Sequence, residues 1–198
     1  MAVITALMVK ELRQKTGAGV LDCKEALELN EGDFEKAAVY LREKGLVAAV
    51  KRSSREAREG LIGSYIHAGC QVGALVEVNC ETDFVASTDE FQALAHDLAM
   101  QVVAAKPAYL GREEVSSEAL EEEEAIYRAQ MADSGKPDHI VDRIVEGKLQ
   151  KYYEENCLLE QPFIKDGGMT VAELVQSANA LLGENIVICR FVRFEVGG

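Results

Sequence analysis

The spacing of apolar residues changes period along this chain, from helical to strand-like, back to helical, and then to a second strand-like run at the end. Few folds accommodate that order. Phe34, Ala37, Ala38 and Leu41 fall at i, i+3, i+4 and i+7, one stripe of a helix. Residues 61–67 and 72–80 are instead β-rich runs separated by Ala68-Gly69-Cys70-Gln71, the pattern of an antiparallel hairpin. Residues 186–196 form another β run, long enough to lie along that hairpin. A hairpin and one distant strand divided by helices make an α+β chain with a single three-stranded antiparallel sheet packed with helices.

The first 45 residues read as three short helices. Thr5 caps the first, which carries Val9 and Leu12 and stops at Thr16-Gly17; the second begins after Gly19 and ends near Asn30-Glu31-Gly32. Asp33 caps the third, and Gly45 stands where a left-handed closing residue is wanted. Helices this short are stable only when packed on one another, so 1–45 is expected to be a helical module. Residues 46–60, with Lys51, Arg52, Ser53, Ser54, Arg55 and Arg58, are too polar and aperiodic for a core and read as a linker. Its basic run is either simply solvated or a docking strip for an acidic partner.

The core is expected over 61–198. Ser87-Thr-Asp-Glu90 offers a capping box for a helix with Phe91, Leu94, Ala95, Leu98, Ala99 and Val102, ended by Pro107. The acidic stretch at Glu121–Glu124 and the stripe Ile140, Val141, Ile144, Val145, Leu149 and Tyr152 flank Gly135-Lys-Pro137, which suggests a projecting helical hairpin at about 117–156. Thr170-Val-Ala-Glu173 offers a second capping box, for a helix that ends at Gly183.

Composition narrows the function. Lys and Arg number 21 against 34 Asp and Glu, a net charge of −13 that repels phosphate backbones, so direct nucleic-acid binding through the 51–58 run is disfavoured. The five cysteines, Cys23, Cys70, Cys80, Cys157 and Cys189, are scattered and never in a C-x-x-C pair, which fits a reducing compartment and signals no zinc site. His67, His96 and His139 lack metal-ligand spacing, and no phosphate-loop, dinucleotide or nucleophile-elbow motif occurs. No metal, cofactor or catalytic residue is therefore expected, and the protein is not expected to be an enzyme. The N-terminus shows neither signal-peptide nor transit-peptide character, and no apolar run approaches the ~20 residues a membrane span needs. A cytoplasmic location follows as an expectation.

Two segments carry unexplained residues. In 12–27, the glycines of Thr16-Gly-Ala-Gly19 force a tight turn, and Val20 and Leu21 are adjacent apolar residues about 100° apart on a helix. One of them is exposed for docking, or both are buried in a small core. In 79–87, Phe84 is not the hydrophobic staple of the next helix. It either projects from the strand–helix connection or folds back on the sheet, and spacing alone slightly favours the fold-back.

At these segments the sequence closely resembles the elongation factor Ts family, guanine-nucleotide exchange factors of the translational GTPase elongation factor Tu. The residues concerned are Val9-Lys-Glu-Leu-Arg13, Thr16-Gly-Ala-Gly19, Asp22-Cys-Lys24, Leu41-Arg-Glu-Lys-Gly45, Glu77-Val-Asn-Cys-Glu-Thr-Asp-Phe-Val85, Leu158-Leu-Glu-Gln-Pro-Phe163 and Gly183-Glu-Asn-Ile186. The resemblance implies a ubiquitin-associated-like N-terminal module. It also implies that Thr82, Asp83, Phe84 and Val85 enter the GTPase near its magnesium and phosphate site, and that Leu12, Val20, Leu21 and Lys24 meet a GTPase helix. Longer members carry two related core subdomains, whereas one hairpin occurs here, so a homodimer through the sheet or the C-terminal strand, with Cys189 nearby, is expected. The competing expectation is an adaptor whose helical module binds a partner helix or a ubiquitin-like surface, indifferent to nucleotide.

Overall fold

The computed structural model describes residues 4–16, 18–131 and 136–198. The expected breaks at Gly17 and Gly135, and the extreme N-terminus, lie outside the described residues. Contacts gather the chain into two compact units, one made of Met1–Gly60, Asn79–Phe91 and Val175–Val187, the other of Leu61–Val78, Gln92–Leu174 and Ile188–Gly198.

The first unit opens with helices α1 (Ala6–Thr16), α2 (Val20–Leu29) and α3 (Phe34–Arg52). The expected caps form: Met8 N–H donates to Thr5 Oγ1 at 3.3 Å, and Glu35 and Lys36 N–H to Asp33 Oδ1 at 3.0 and 3.1 Å. Val9, Leu12, Cys23, Ala26, Leu27, Ala37 and Leu41 make one buried cluster. The third helix does not stop at Gly45 but continues to Arg52, so the first part of the expected linker is helical. A glycine inside a helix costs only about 1 kcal/mol against alanine, which does not by itself end one. Gly45 has a packing role instead: a Cβ there would stand 3.0 Å from the Ala180 Cβ.

The second unit is built on the sheet. Strands β1 (Glu59–Ile66), β2 (Val72–Cys80) and a late strand β5 (Val187–Glu195) run antiparallel in the order β1-β2-β5. The hairpin turn works because Gly69 takes φ +92°, a region costly for side-chain-bearing residues, while His67 N–H bonds Val72 O at 2.9 Å. Alternation sends Ala74, Val76 and Val78 inward and leaves Leu75 outward. Helix α5 (Asp89–Ala105) buries Leu94, Ala95, Leu98, Ala99 and Val102, the expected stripe. Thr88, one residue after the expected Ser87, caps it: Phe91 N–H donates to Thr88 Oγ1 at 3.3 Å. Helices α6 (Ser117–Met131) and α7 (Asp138–Asn156) lie side by side, joined by Arg128 to Asp142 at 2.8 Å. A short ribbon, β3 (Pro162–Phe163) and β4 (Asp166–Thr170), leads into α8 (Val171–Leu182). Here the capping box is realised in full: Glu173 N–H donates to Thr170 Oγ1 at 3.2 Å and Thr170 N–H to Glu173 Oε2 at 2.8 Å.

One polar residue breaks the apolar side of α5. Gln101 is fully buried, donates to Gln161 Oε1 at 3.1 Å and Pro162 O at 3.2 Å, and accepts from Ile164 N–H at 2.9 Å. Gln161 in turn donates to Glu155 O at 2.9 Å, so two amides tie the end of α7 and the ribbon to α5. Gln101→Leu conserves volume but orphans those groups, and is expected to cost about 2–3 kcal/mol in urea unfolding.

Candidate functional site

The site is one turn of helix after β2. Thr82, extended at φ −132° and ψ 153°, caps α4 (Asp83–Ala86), accepting from Val85 N–H at 3.4 Å. The far end closes as Ser87 N–H reaches Asp83 O at 3.1 Å and Thr88 Oγ1 reaches Val85 O at 2.8 Å. A four-residue turn bonded at both ends holds its backbone without help from the side chains it displays. Phe84 is 83% exposed and Asp83 is exposed beside it, while Thr82 and Val85 are half-buried. The ring therefore projects and does not fold back on the sheet. A benzyl group exposed on a braced turn contributes little burial to its own fold.

The brace comes from a residue that sequence reasoning missed. Glu184, just past the end of α8, accepts the Thr82 hydroxyl on Oε1 at 2.6 Å and the N–H groups of Glu81 and Thr82 on Oε2, both at 3.1 Å. In return the Glu81 carboxylate accepts Asn185 N–H at 2.6 Å. Asn185, 3% exposed, donates through its amide to Arg55 O at 2.7 Å. Burial pushes the nearby Cys80 thiol up, and the Glu184 charge adds to the rise, so this cysteine is a protonated packing group rather than a nucleophile. The Gly-Glu-Asn-Ile run is visible in the sequence, but nothing local links it to a segment about a hundred residues earlier.

In the helical module the four expected contact residues separate. Val20 is 52% and Leu21 82% exposed, so both members of the adjacent pair face out. Lys24 is exposed too, paired with Glu28 at 3.7 Å. Leu12 is not available: it is 0% exposed, at the centre of the three-helix cluster, because α1 turns its Val9–Leu12 side inward. At the end of α1 the Thr16 hydroxyl donates to Leu12 O at 2.8 Å. Exposed Leu29 and Leu7, which periodicity does not single out, add apolar surface to the module.

Among the described residues, no group of three or more His, Cys, Asp or Glu side chains is placed to hold a metal. No helix among them is long and apolar enough to cross a membrane. What the turn displays is an exposed aromatic ring with a carboxylate beside it.

The family model for Elongation factor TS matches residues 9–198. Elongation factor Ts of Heliobacterium modesticaldum is 58% identical over 194 residues, covering 98% of this chain and 90% of the relative. That of Carboxydothermus hydrogenoformans is 57% identical over 194 residues, with 98% and 89% covered. The protein of the same name from Moorella thermoacetica is 56% identical over 194 residues, with 98% and 96% covered.

Proposed function

The chain belongs to the elongation factor Ts family, and from that membership we propose how it performs nucleotide exchange on elongation factor Tu. Phe84, with Asp83 beside it, enters the GTPase next to the magnesium and phosphate site and displaces the elements that hold GDP. Thr82 and Val85, half-buried on the same turn, flank that contact and also shape the turn. GDP is held by backbone N–H groups around its phosphates and by Mg²⁺ bridging phosphate and protein oxygens, so a ring that shifts both weakens them together. Affinity for GDP falls with no covalent step. The coupling is reciprocal: the factor by which this protein weakens GDP is the factor by which GDP weakens this protein's hold, and an incoming nucleotide completes the cycle. The observation that carries this reading is the 83% exposure of Phe84 on a turn braced at both ends.

Residues 1–45 dock separately, with Val20, Leu21 and Lys24 against a GTPase helix and Leu12 supporting them from within. A nucleotide-indifferent adaptor is not favoured by the family. The test is labelled-GDP release from purified elongation factor Tu with and without this protein: a release rate rising with its concentration is expected, and no acceleration would overturn the reading. The protein's place is the cytoplasm, where translation runs.

Two copies pair through the sheet. In the second unit Ile62, Ile66, Leu75, Val192, Phe194 and Val196 are all exposed on or beside its strands. The Glu77–Arg190 ion pair at 2.6 Å lies among them. Both β1 and β5 are edge strands, and an uncovered apolar face of this kind favours a self-complementary contact. Cys189 is a free, exposed thiol on β5, and the pairing proposed here rests on the apolar face beside it. Light scattering at micromolar concentration is expected to give twice the 21.6 kDa of one chain, and Val192→Glu to return the mass to 21.6 kDa. A wild-type mass of one chain would remove the dimer.

A further inference from the structure

Phe84 has little of its own chain to lean on, so its direction is set by the backbone beneath it. That backbone is held by the Thr82 cap, and the cap is held by Glu184. Resting on the reading that Phe84 acts as the wedge, we propose that Glu184 is a positioning residue for nucleotide exchange, acting through Thr82 on Phe84.

The geometry has three parts. First, the Thr82 hydroxyl has one proton, which goes to Glu184 Oε1 at 2.6 Å, and this leaves its lone pairs for Val85 N–H at 3.4 Å. Without the carboxylate the hydroxyl is free to rotate and the cap loses its orientation. Second, Glu184 Oε2 takes both backbone N–H groups that lead into the turn, Glu81 and Thr82, at 3.1 Å each. A single carboxylate oxygen thus anchors two successive residues of the approach to α4. Third, the lock is double, since Glu81 Oε1 accepts Asn185 N–H at 2.6 Å. Asn185 also donates to Arg55 O at 2.7 Å and Ser53 O at 3.4 Å, so the backbone leaving α3 meets the wedge at the same node. Gly183, at φ +76°, turns the chain out of α8 so that Glu184 arrives there.

Loss of Glu184 therefore differs from loss of an ordinary surface charge. The groups it leaves are only part-buried, so the fold is expected to survive. A wedge that must land within an ångström of its target is far more sensitive, because misplacement on that scale can cost about a hundredfold in rate.

The experiment measures labelled-GDP release from purified elongation factor Tu against concentration of the exchange factor, separating the maximal rate from the half-saturating concentration. Glu184→Ala is expected to lower the maximal rate about tenfold while the half-saturating concentration moves less than about threefold. Glu184→Gln is expected to stay within about threefold of wild type. Its oxygen can accept the two N–H groups while its amide donates to the Thr82 oxygen. The reading that a side chain 102 positions away acts through the ring is checked by a cycle with Phe84→Ala: the double variant should be no slower than Phe84→Ala alone. Multiplying losses, or an unchanged maximal rate with Glu184→Ala beside slow release with Phe84→Ala, overturns this inference and leaves the wedge standing. An unchanged rate with Phe84→Ala overturns the wedge and this inference together. Should Glu184→Ala fail to fold, Thr82→Val, which keeps the shape and removes the hydroxyl, carries the same cycle with the same outcomes.

Discussion

Phe84→Ala is expected to slow stimulated GDP release about thirtyfold, the effect of losing a contact worth about 2 kcal/mol at the centre of an interface. Its own stability should stay within about 0.5 kcal/mol of wild type, because a ring that is 83% exposed contributes almost nothing to the core. A large kinetic loss with an unmoved melting curve places the ring's whole effect in the partner. Phe84→Leu keeps much of the apolar volume and is expected to fall between the two. Stopped-flow release with labelled GDP, together with thermal denaturation, decides it. An unchanged release rate for Phe84→Ala would remove the insertion mechanism.

The second large effect runs the other way. Gly63→Ala is expected to destabilise the protein by about 2–3 kcal/mol, a fall in Tm of about 5–10 °C. At Gly63 the β1 backbone crosses so close to α5 that an added Cβ would lie 2.4 Å from the Ala95 carbonyl oxygen and 2.6 Å from its carbon. Neither is the tip of a flexible side chain, so strand and helix would have to part. The helix is held where it is by Arg193, which donates to Val103 O at 3.4 Å, and by Lys106 paired with Glu195 at 3.3 Å. Gly69 is a useful control, since nothing lies within 4 Å of its missing Cβ and its cost on substitution comes from backbone conformation alone. Equal melting temperatures for Gly63→Ala and wild type would contradict the close approach.

Residues whose partners lie within four positions are legible in the amino-acid order alone. Asp33 and Thr170 cap the helices they precede, and the hairpin closes at Gly69. Where two local solutions compete, the pattern misleads. Ser87 and Thr88 are both good caps, both hydroxyls donate into the preceding turn, and it is the Thr88 oxygen that stands within reach of Phe91 N–H. Gly45 resembles a stop signal, but a helix ends there only if the chain takes a left-handed turn, and no local pattern reveals the approach of Ala180. Leu12 groups with Val20 and Leu21 along the chain because one turn joins them, yet inward and outward faces of a helix are settled only by its neighbours.

The order of apolar periods, the caps and the sequence of motifs by themselves determined the α+β class, most of the elements and membership of the family, because these depend on interactions that close over a few residues or on the identity of the residues. Only the tertiary structure decided which apolar side chains stand out and what steadies them. Phe84 is exposed, Leu12 is not, and Glu184 reaches Thr82 across 102 positions. Exposure and long-range hydrogen bonds depend on how the distant segments pack, and no run of neighbouring residues encodes that arrangement.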